Sequence, residues 1–237
     1  MKKTSTILAI GSALALGSAQ AEIESSFHVG YSTDYVWRGL DQGPGTDGGL
    51  YEYGIDFTGD STCGISWNAG VWVADYADGF GEETDIYGSL SKEFGAVELS
   101  LGLIRYDFGQ TGLDSTEIFL GLGTEFNGFS VGAVVYYDVD QADGAMFGEL
   151  SVGQSFDVGG ATVEIGAHFA TTLDAGSVSD PYGNAGENYV TYGLSAAVSK
   201  ELGDHLTGTV YVSAEKTEGH PDDGDDLFGG ASLSYSF

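Results

Sequence analysis

The sequence predicts an all-β protein, a transmembrane antiparallel up-and-down β-barrel of twelve strands, on three observations. From residue 22 onward apolar side chains recur at every second position, the period of a strand, in twelve separate runs. The connections between these runs alternate between short and long. Aromatic residues gather at the ends of the runs, while Leu, Val, Ile and Ala hold the centres.

Each run has one apolar face. In the first, Phe27, Val29, Tyr31, Thr33, Tyr35 and Trp37 share it, so this strand is expected to reach Trp37. The second places Tyr51, Tyr53, Ile55 and Phe57 together, and the third Trp67, Ala69, Val71 and Val73. Ile86, Leu90 and Phe94 mark the fourth; Val97, Leu99, Leu101 and Leu103 the fifth; Ile118, Leu120, Leu122 and Phe126 the sixth. The seventh runs Phe129 to Tyr137, the eighth carries Leu150, Val152 and Phe156, and the ninth Val163, Ile165 and Phe169. Tyr192, Leu194 and Val198, then Val210 and Val212, then Leu227, Leu233, Tyr235 and Phe237 complete the set.

Short connections fall near Gly59–Cys63, Gly95–Ala96, Asn127–Gly128, Val158–Gly160 and Lys200–His205, and Asn-Gly between two alternating runs is a strong hairpin signal. Long ones fall at Gly39–Gly49, Ala77–Thr84, Gly109–Ser115, Asp140–Ala145, Asp174–Glu187 and Thr217–Asp226. An even strand count with five short and six long connections puts both termini at the short-turn end, the pattern of outer-membrane barrels.

Alternation alone also fits a soluble sandwich, whose polar face meets water and carries Lys, Glu, Thr and Arg. Here the second face is rich in Gly, Ser and Ala, including Gly121, Gly132, Gly153, Gly166, Ser195 and Ser232, as suits the inner wall of a narrow barrel. The aromatic belts decide further. Phe27, Phe57, Trp67, Phe94, Phe126, Phe129, Phe156, Tyr235 and Phe237 lie beside the short turns, and Tyr35, Trp37, Tyr51, Tyr53, Tyr137 and Tyr192 at the opposite ends. Two aromatic belts around an aliphatic band match the two interfaces of a bilayer. Lipid contact in turn demands closure, because no sheet edge can stay unpaired in hydrocarbon.

Export is expected from the first residues. Lys2 and Lys3, an apolar run from Ile7 to Leu16 and small residues ending in Ala19-Gln20-Ala21 form a signal peptide over residues 1–21, cleaved between Ala21 and Glu22, with the barrel over 22–237. The apolar run is about half the ~20 residues a spanning helix needs. Cleavage leaves five basic residues against 36 acidic ones, a net charge of −31. So acidic a chain does not seek nucleic acid by electrostatics. The lone Cys63 excludes an intramolecular disulfide and a cysteine-built metal site. The expected partners are outer-membrane lipid and lipopolysaccharide, and the terminal Phe237 resembles the signal read by the barrel-assembly machinery. No cofactor is predicted.

Ser32-Thr33-Asp34-Tyr35-Val36-Trp37-Arg38-Gly39-Leu40-Asp41-Gln42 resembles the opening motif of the Gcw_chp family of exported Gram-negative proteins. Gly70-Val71-Trp72-Val73-Ala74-Asp75 and Glu83-Thr84-Asp85-Ile86-Tyr87-Gly88 are similar to a second stretch of that family, so the resemblance covers residues 32–108. Asp41 stands where the family has Ser or Thr. The resemblance implies an exported, porin-like barrel and no established activity or ligand.

Strand parity assigns Asp34, Glu52, Asp56, Glu98, Glu117, Glu125, Asp138, Glu149, Glu164 and Glu215 to the lumen, with His28 and His168. An acidic wall in a water-filled pore favours cations. Trp72, Tyr76, Phe119 and Tyr136 share the inward parity and are candidates to fill or constrict it. Arg38, at the outer rim of the first strand, is expected to brace the first long loop against Asp34; a constriction residue among acids is the other reading. Asp138, Asp140, Asp143 and Glu149 imitate a calcium-loop spacing, but Ala142 and a late Gly144 break it, and His220–Asp226 is acidic without ligand geometry. Both are expected to be solvated tips with at most weak divalent-cation binding.

Catalysis on membrane lipid needs a His and a Ser facing lipid near the outer rim. His28 and His168 face inward, His205 and His220 lie in connections, and no H-E-x-x-H occurs. The expected function is a narrow porin-like passive channel for small, cationic solutes; the alternative is a plugged scaffold displaying acidic loops.

Overall fold

The computed structural model describes residues 23–42, 49–76, 81–109, 114–174, 188–220 and 224–237. The expected leader, its Ala21–Glu22 junction and parts of five long connections lie outside the described residues.

Twelve strands close into one antiparallel barrel. In chain order they are β1 (Glu24–Ser32), β4 (Leu50–Asp60), β5 (Ser66–Tyr76), β6 (Glu82–Phe94), β7 (Val97–Asp107), β8 (Ser115–Phe126), β9 (Phe129–Asp138), β10 (Met146–Val158), β11 (Ala161–Asp174), β12 (Val190–Gly203), β13 (Leu206–Glu218) and β14 (Asp225–Ser236). A two-stranded hairpin, β2 (Val36–Trp37) with β3 (Leu40–Asp41), falls between β1 and β4. Each wall strand pairs with its sequence neighbour, and β1 pairs with both β4 and β14, so no edge is left. The termini meet at that seam: Ser25 and Phe237 exchange backbone hydrogen bonds, Phe237 N–H donating to Ser25 O at 3.0 Å.

Local chemistry sets the short turns. At Asn127-Gly128 both residues have positive φ (53° and 83°), as do Gly159-Gly160 (60° and 81°). A two-residue turn of this kind matches strand twist, and Asn and Gly tolerate it best. Register then follows from the pleat. Phe27, Val29, Leu101, Leu103, Leu120, Leu122, Leu150, Val152, Leu194 and Val212 point outward and are exposed, an aliphatic band of the kind that only lipid covers. Phe94, Phe126, Phe129, Tyr235 and Phe237 rim it beside the short turns, and Tyr51, Tyr53, Tyr137 and Tyr192 rim it at the other end.

The first strand departs from the sequence expectation. It ends at Ser32, and Tyr35 and Trp37 do not join the outer belt. Tyr35, Val36 and Leu40 are instead buried inside the barrel. Two causes act in succession. Ser32 Oγ donates to Asp34 O at 2.6 Å and Tyr35 N–H donates to Asp34 Oδ1 at 2.9 Å, giving the backbone partners other than a neighbouring strand. Arg38 (φ 53°) and Gly39 (φ 76°) then reverse the chain, and Gln42 N–H donates to Tyr35 O at 2.8 Å, closing the hairpin base.

Candidate functional site

The inward hairpin, residues 33–42, crosses the lumen at the long-loop end and is held at several points of the wall. Tyr35 Oη donates to Glu83 Oε1 on β6 at 3.3 Å, and Tyr76 on β5 donates to the other oxygen of Glu83 at 3.2 Å. Arg38 donates from both terminal nitrogens to the two oxygens of Glu117 on β8, at 2.7 and 2.6 Å. Thr217 Oγ1 on β13 donates to Gly39 O, and Gly39 lies so close to Thr191 and Thr217 that a β-carbon there would collide with both. The hairpin thus spans from β6 and β8 to β12 and β13.

Packing reinforces these bonds. Tyr35 sits with Leu50, Ala74, Tyr76, Trp37 and Trp72 in one cluster, its ring 5.9 Å from those of Trp72 and Tyr76. Across the lumen Phe119, Tyr136, Phe147 and Ala170 form another. The Arg38 guanidinium lies between them, 4.3 Å from the Trp37 ring centre and 4.6 Å from those of Tyr136 and Phe147. A buried cation is tolerated when it is paired, bidentate and stacked on ring faces. Burial works against the charge of Arg38, and the Glu117 carboxylate more than offsets it, raising its affinity for its proton. Arg38 therefore lies inside the barrel at the tip of the inward hairpin and pairs with Glu117; it is neither on the rim of the first strand nor paired with Asp34. The turn at Arg38–Gly39 carries the guanidinium away from the hairpin base and from Asp34, toward Glu117 on β8.

Below the hairpin a cavity of about 280 Å³ runs from Val36 and Arg38 down to Glu125, Gly128 and Ser155 beside the short turns. It follows β9–β14 because that wall is made of the smallest residues. Gly153 faces Ser130, and Gly166 faces Ser195, each hydroxyl lying where a β-carbon of the glycine would crowd it. On the opposite wall the inward side chains bond to one another. Trp72 donates to Glu52 at 3.1 Å, Ser89 to Asn68 at 2.6 Å, and Tyr87 to Asp56, which also lies 3.6 Å from His28.

The acids predicted from parity therefore divide by environment. Glu125, Glu149, Glu164 and Glu215, with His168, line the cavity. Glu52 and Asp56 are engaged by Trp72 and Tyr87, and Glu117 by Arg38 and by Tyr106, which donates to it at 3.0 Å. Glu98 is buried on β7 away from the cavity. Asp138 caps the connection after β9: it accepts from Ser115 and from the backbone N–H groups of Asp140 (2.8 Å) and Ala142 (3.1 Å). Asp34 lies at the hairpin base rather than on a strand, where burial and the neighbouring Asp41 push its carboxyl above the usual range.

Sequence reasoning missed Glu83, which is 1% exposed and ties two tyrosines, because it falls within the connection expected at Ala77–Thr84, whereas the strand already begins at Glu82. Among the described residues no group of three His, Cys, Asp or Glu side chains is arranged to hold a metal ion. Residues 221–223 of the second acidic run lie outside the described residues.

The four other Lys and Arg side chains among the described residues point outward from the wall. Lys92 and Lys200 stand beside the short turns, and Arg105 and Lys216 toward the long connections, Arg105 3.2 Å from Asp114 and Lys216 3.5 Å from Asp225. Among the described residues Arg38 is the sole Lys or Arg directed into the lumen.

Several solved structures share this architecture. An outer-membrane channel from Pseudomonas putida F1 matches with a TM-score of 0.58 at 9% identity, over 93% of this chain and 97% of that one. The KdgM porin matches with a TM-score of 0.56 at 13% identity, over 90% and 99%. The NanC porin matches with a TM-score of 0.55 at 8% identity, over 89% and 98%. At these identities the shared property is the fold. No protein-family model matches the sequence, and no curated protein matches it.

Proposed function

We propose that the protein is a narrow passive channel of the outer membrane, passing small solutes along the β9–β14 wall with cations favoured. The observation that carries this reading is the cavity that rises from the short-turn mouth to Arg38 and is lined by Glu125, Glu149, Glu164 and Glu215. Carboxylates along a water-filled path raise the local cation concentration and repel anions. The like-folded proteins include an outer-membrane channel and two porins, which supports the class but not the solute. In this reading the leader ending at Ala21 is removed on export, and the assembly machinery reads the strand ending at Phe237. The outward bases Lys92, Lys200, Arg105 and Lys216 then meet headgroups, including those of lipopolysaccharide, at the two rims. Weak divalent cations at the acidic loop tips belong to the same reading.

The test is single-channel recording in planar bilayers with several salts. Discrete conductance is expected, with the reversal potential in a KCl gradient displaced toward that of K⁺. Replacing Glu149, Glu164 and Glu215 together with Gln is expected to cut the K⁺/Cl⁻ permeability ratio several-fold. Silence of the folded wild-type barrel in every salt would favour a second reading, a plugged scaffold. That reading draws on the aromatic packing of the hairpin against Tyr76, Trp72 and Leu50.

A further inference from the structure

Arg38 is the one Lys or Arg facing the lumen among the described residues, and it lines the same cavity as Glu149 and Glu215. A free guanidinium at a constriction would repel cations at the narrowest point of an otherwise acidic path. It is not free. Both terminal nitrogens are committed to Glu117, whose second oxygen also accepts from Tyr106, and the pair is nearly buried, 13% and 7% exposed at the side chains. Three rings box the guanidinium on the hairpin and on β9 and β10. A fork-to-fork pair fixes orientation as well as charge, and a neutral pair projects only a dipolar field into the path.

We propose that Glu117 is a specificity-determining residue of the pore. By holding Arg38 in a bidentate pair against the β8 wall, it cancels the lumen's inward base and leaves the carboxylates of the facing wall to set cation preference. This inference rests on the channel reading and assigns the residue that controls its selectivity.

The alternative is that the pair only anchors the hairpin. The two roles differ in sign. As a charge-masking pair, E117Q exposes an uncompensated cation and shifts selectivity toward anions, R38Q exposes an uncompensated carboxylate and shifts it toward cations, and R38Q/E117Q returns it toward wild type. As an anchor alone, all three variants loosen the hairpin, and their permeability ratios move in the same direction or stay put.

The experiment measures reversal potentials in a KCl gradient for the wild-type barrel and these three variants, each first checked for the heat-modifiable migration of a folded barrel. E117Q is expected to lower the K⁺/Cl⁻ ratio about 25-fold, because a unit charge at ~4 Å, even at the dielectric constant of water, disfavours K⁺ about fivefold and favours Cl⁻ about fivefold. R38Q is expected to raise it by a similar factor. A conducting E117Q barrel with the wild-type ratio overturns the inference and leaves the channel reading standing. A folded but silent wild type overturns both. If E117Q does not fold, R38Q and the double variant decide: a ratio above wild type in R38Q and restored in the double supports the inference, and R38Q at the wild-type ratio overturns it.

Discussion

Gly39 shows how much a single residue can fix. Its φ of 76° is one that side chains rarely adopt, and its α-carbon abuts Thr191 and Thr217, both almost fully buried. A methyl group at this point meets strain and collision together. G39A is therefore expected to unseat the hairpin while leaving the wall strands paired. Trypsin reports it directly: Arg38 is shielded in the wild type, and the variant is expected to be cut after Arg38 at least ten times faster in detergent, a shift corresponding to ~1.4 kcal/mol of easier opening. Equal cleavage rates would show that the contact is dispensable. None of this was legible from the residue itself, because Arg-Gly is not a strong turn dipeptide and a glycine near a rim has many ordinary uses. The inward acids were legible, since parity alone sets Glu149, Glu164 and Glu215 on the lumen face. Parity did not say which acids would be neutralised by partners; Glu117 and Asp138 needed three-dimensional neighbours to reveal their roles.

At the scale of the element, the wall strands and their turns follow the pattern in the chain closely. The Asn127-Gly128 turn joins β8 and β9, and Asn127 occupies a left-handed conformation. N127A is expected to destabilise the barrel by about 1 kcal/mol, because the left-handed region costs an alanine roughly 1–2 kcal/mol and Asn escapes part of that, read from urea unfolding in vesicles. No change in the midpoint would mean that the turn adapts. The hairpin of β2 and β3 is where the pattern misleads. Thr33, Tyr35 and Trp37 prolong the alternation of Phe27, Val29 and Tyr31 without a break, and period two is the same whether a strand faces lipid or folds back into a lumen. Aromatic residues suit a bilayer rim and a buried plug equally well. The distinguishing features were Ser32 and Asp34, whose side chains cap the backbone locally, and a turn that needed two consecutive positive φ values.

For the whole molecule the governing fact is inversion: the apolar face is outside and the polar face encloses the cavity. Adjacent positions at the centre of β10 test it. Val152 is 43% exposed on the outer band, and its neighbour Ser151 lines the cavity. V152R is expected to cost about 2–4 kcal/mol in folding into vesicles, the penalty for Arg at the bilayer midplane. S151R is expected to cost less than half of that, because its guanidinium reaches water and the Glu149 and Glu164 carboxylates. Equal penalties would place both residues in the same surroundings. This level was the most legible, because composition and periodicity average over many residues and local exceptions barely move them.

The seam has a consequence for the order of events. Thr33 N–H donates to Gly229 O on β14, and Gly39 O accepts from Thr217 on β13, so the segment after the first strand docks on the last two. A ribbon that has not yet curled round to join its own beginning offers that segment its contacts with β4–β8 but none of those with β13 and β14. The inward hairpin therefore gains its last fastenings only when the ring is complete, and closure of the wall and locking of the segment it encloses are coupled.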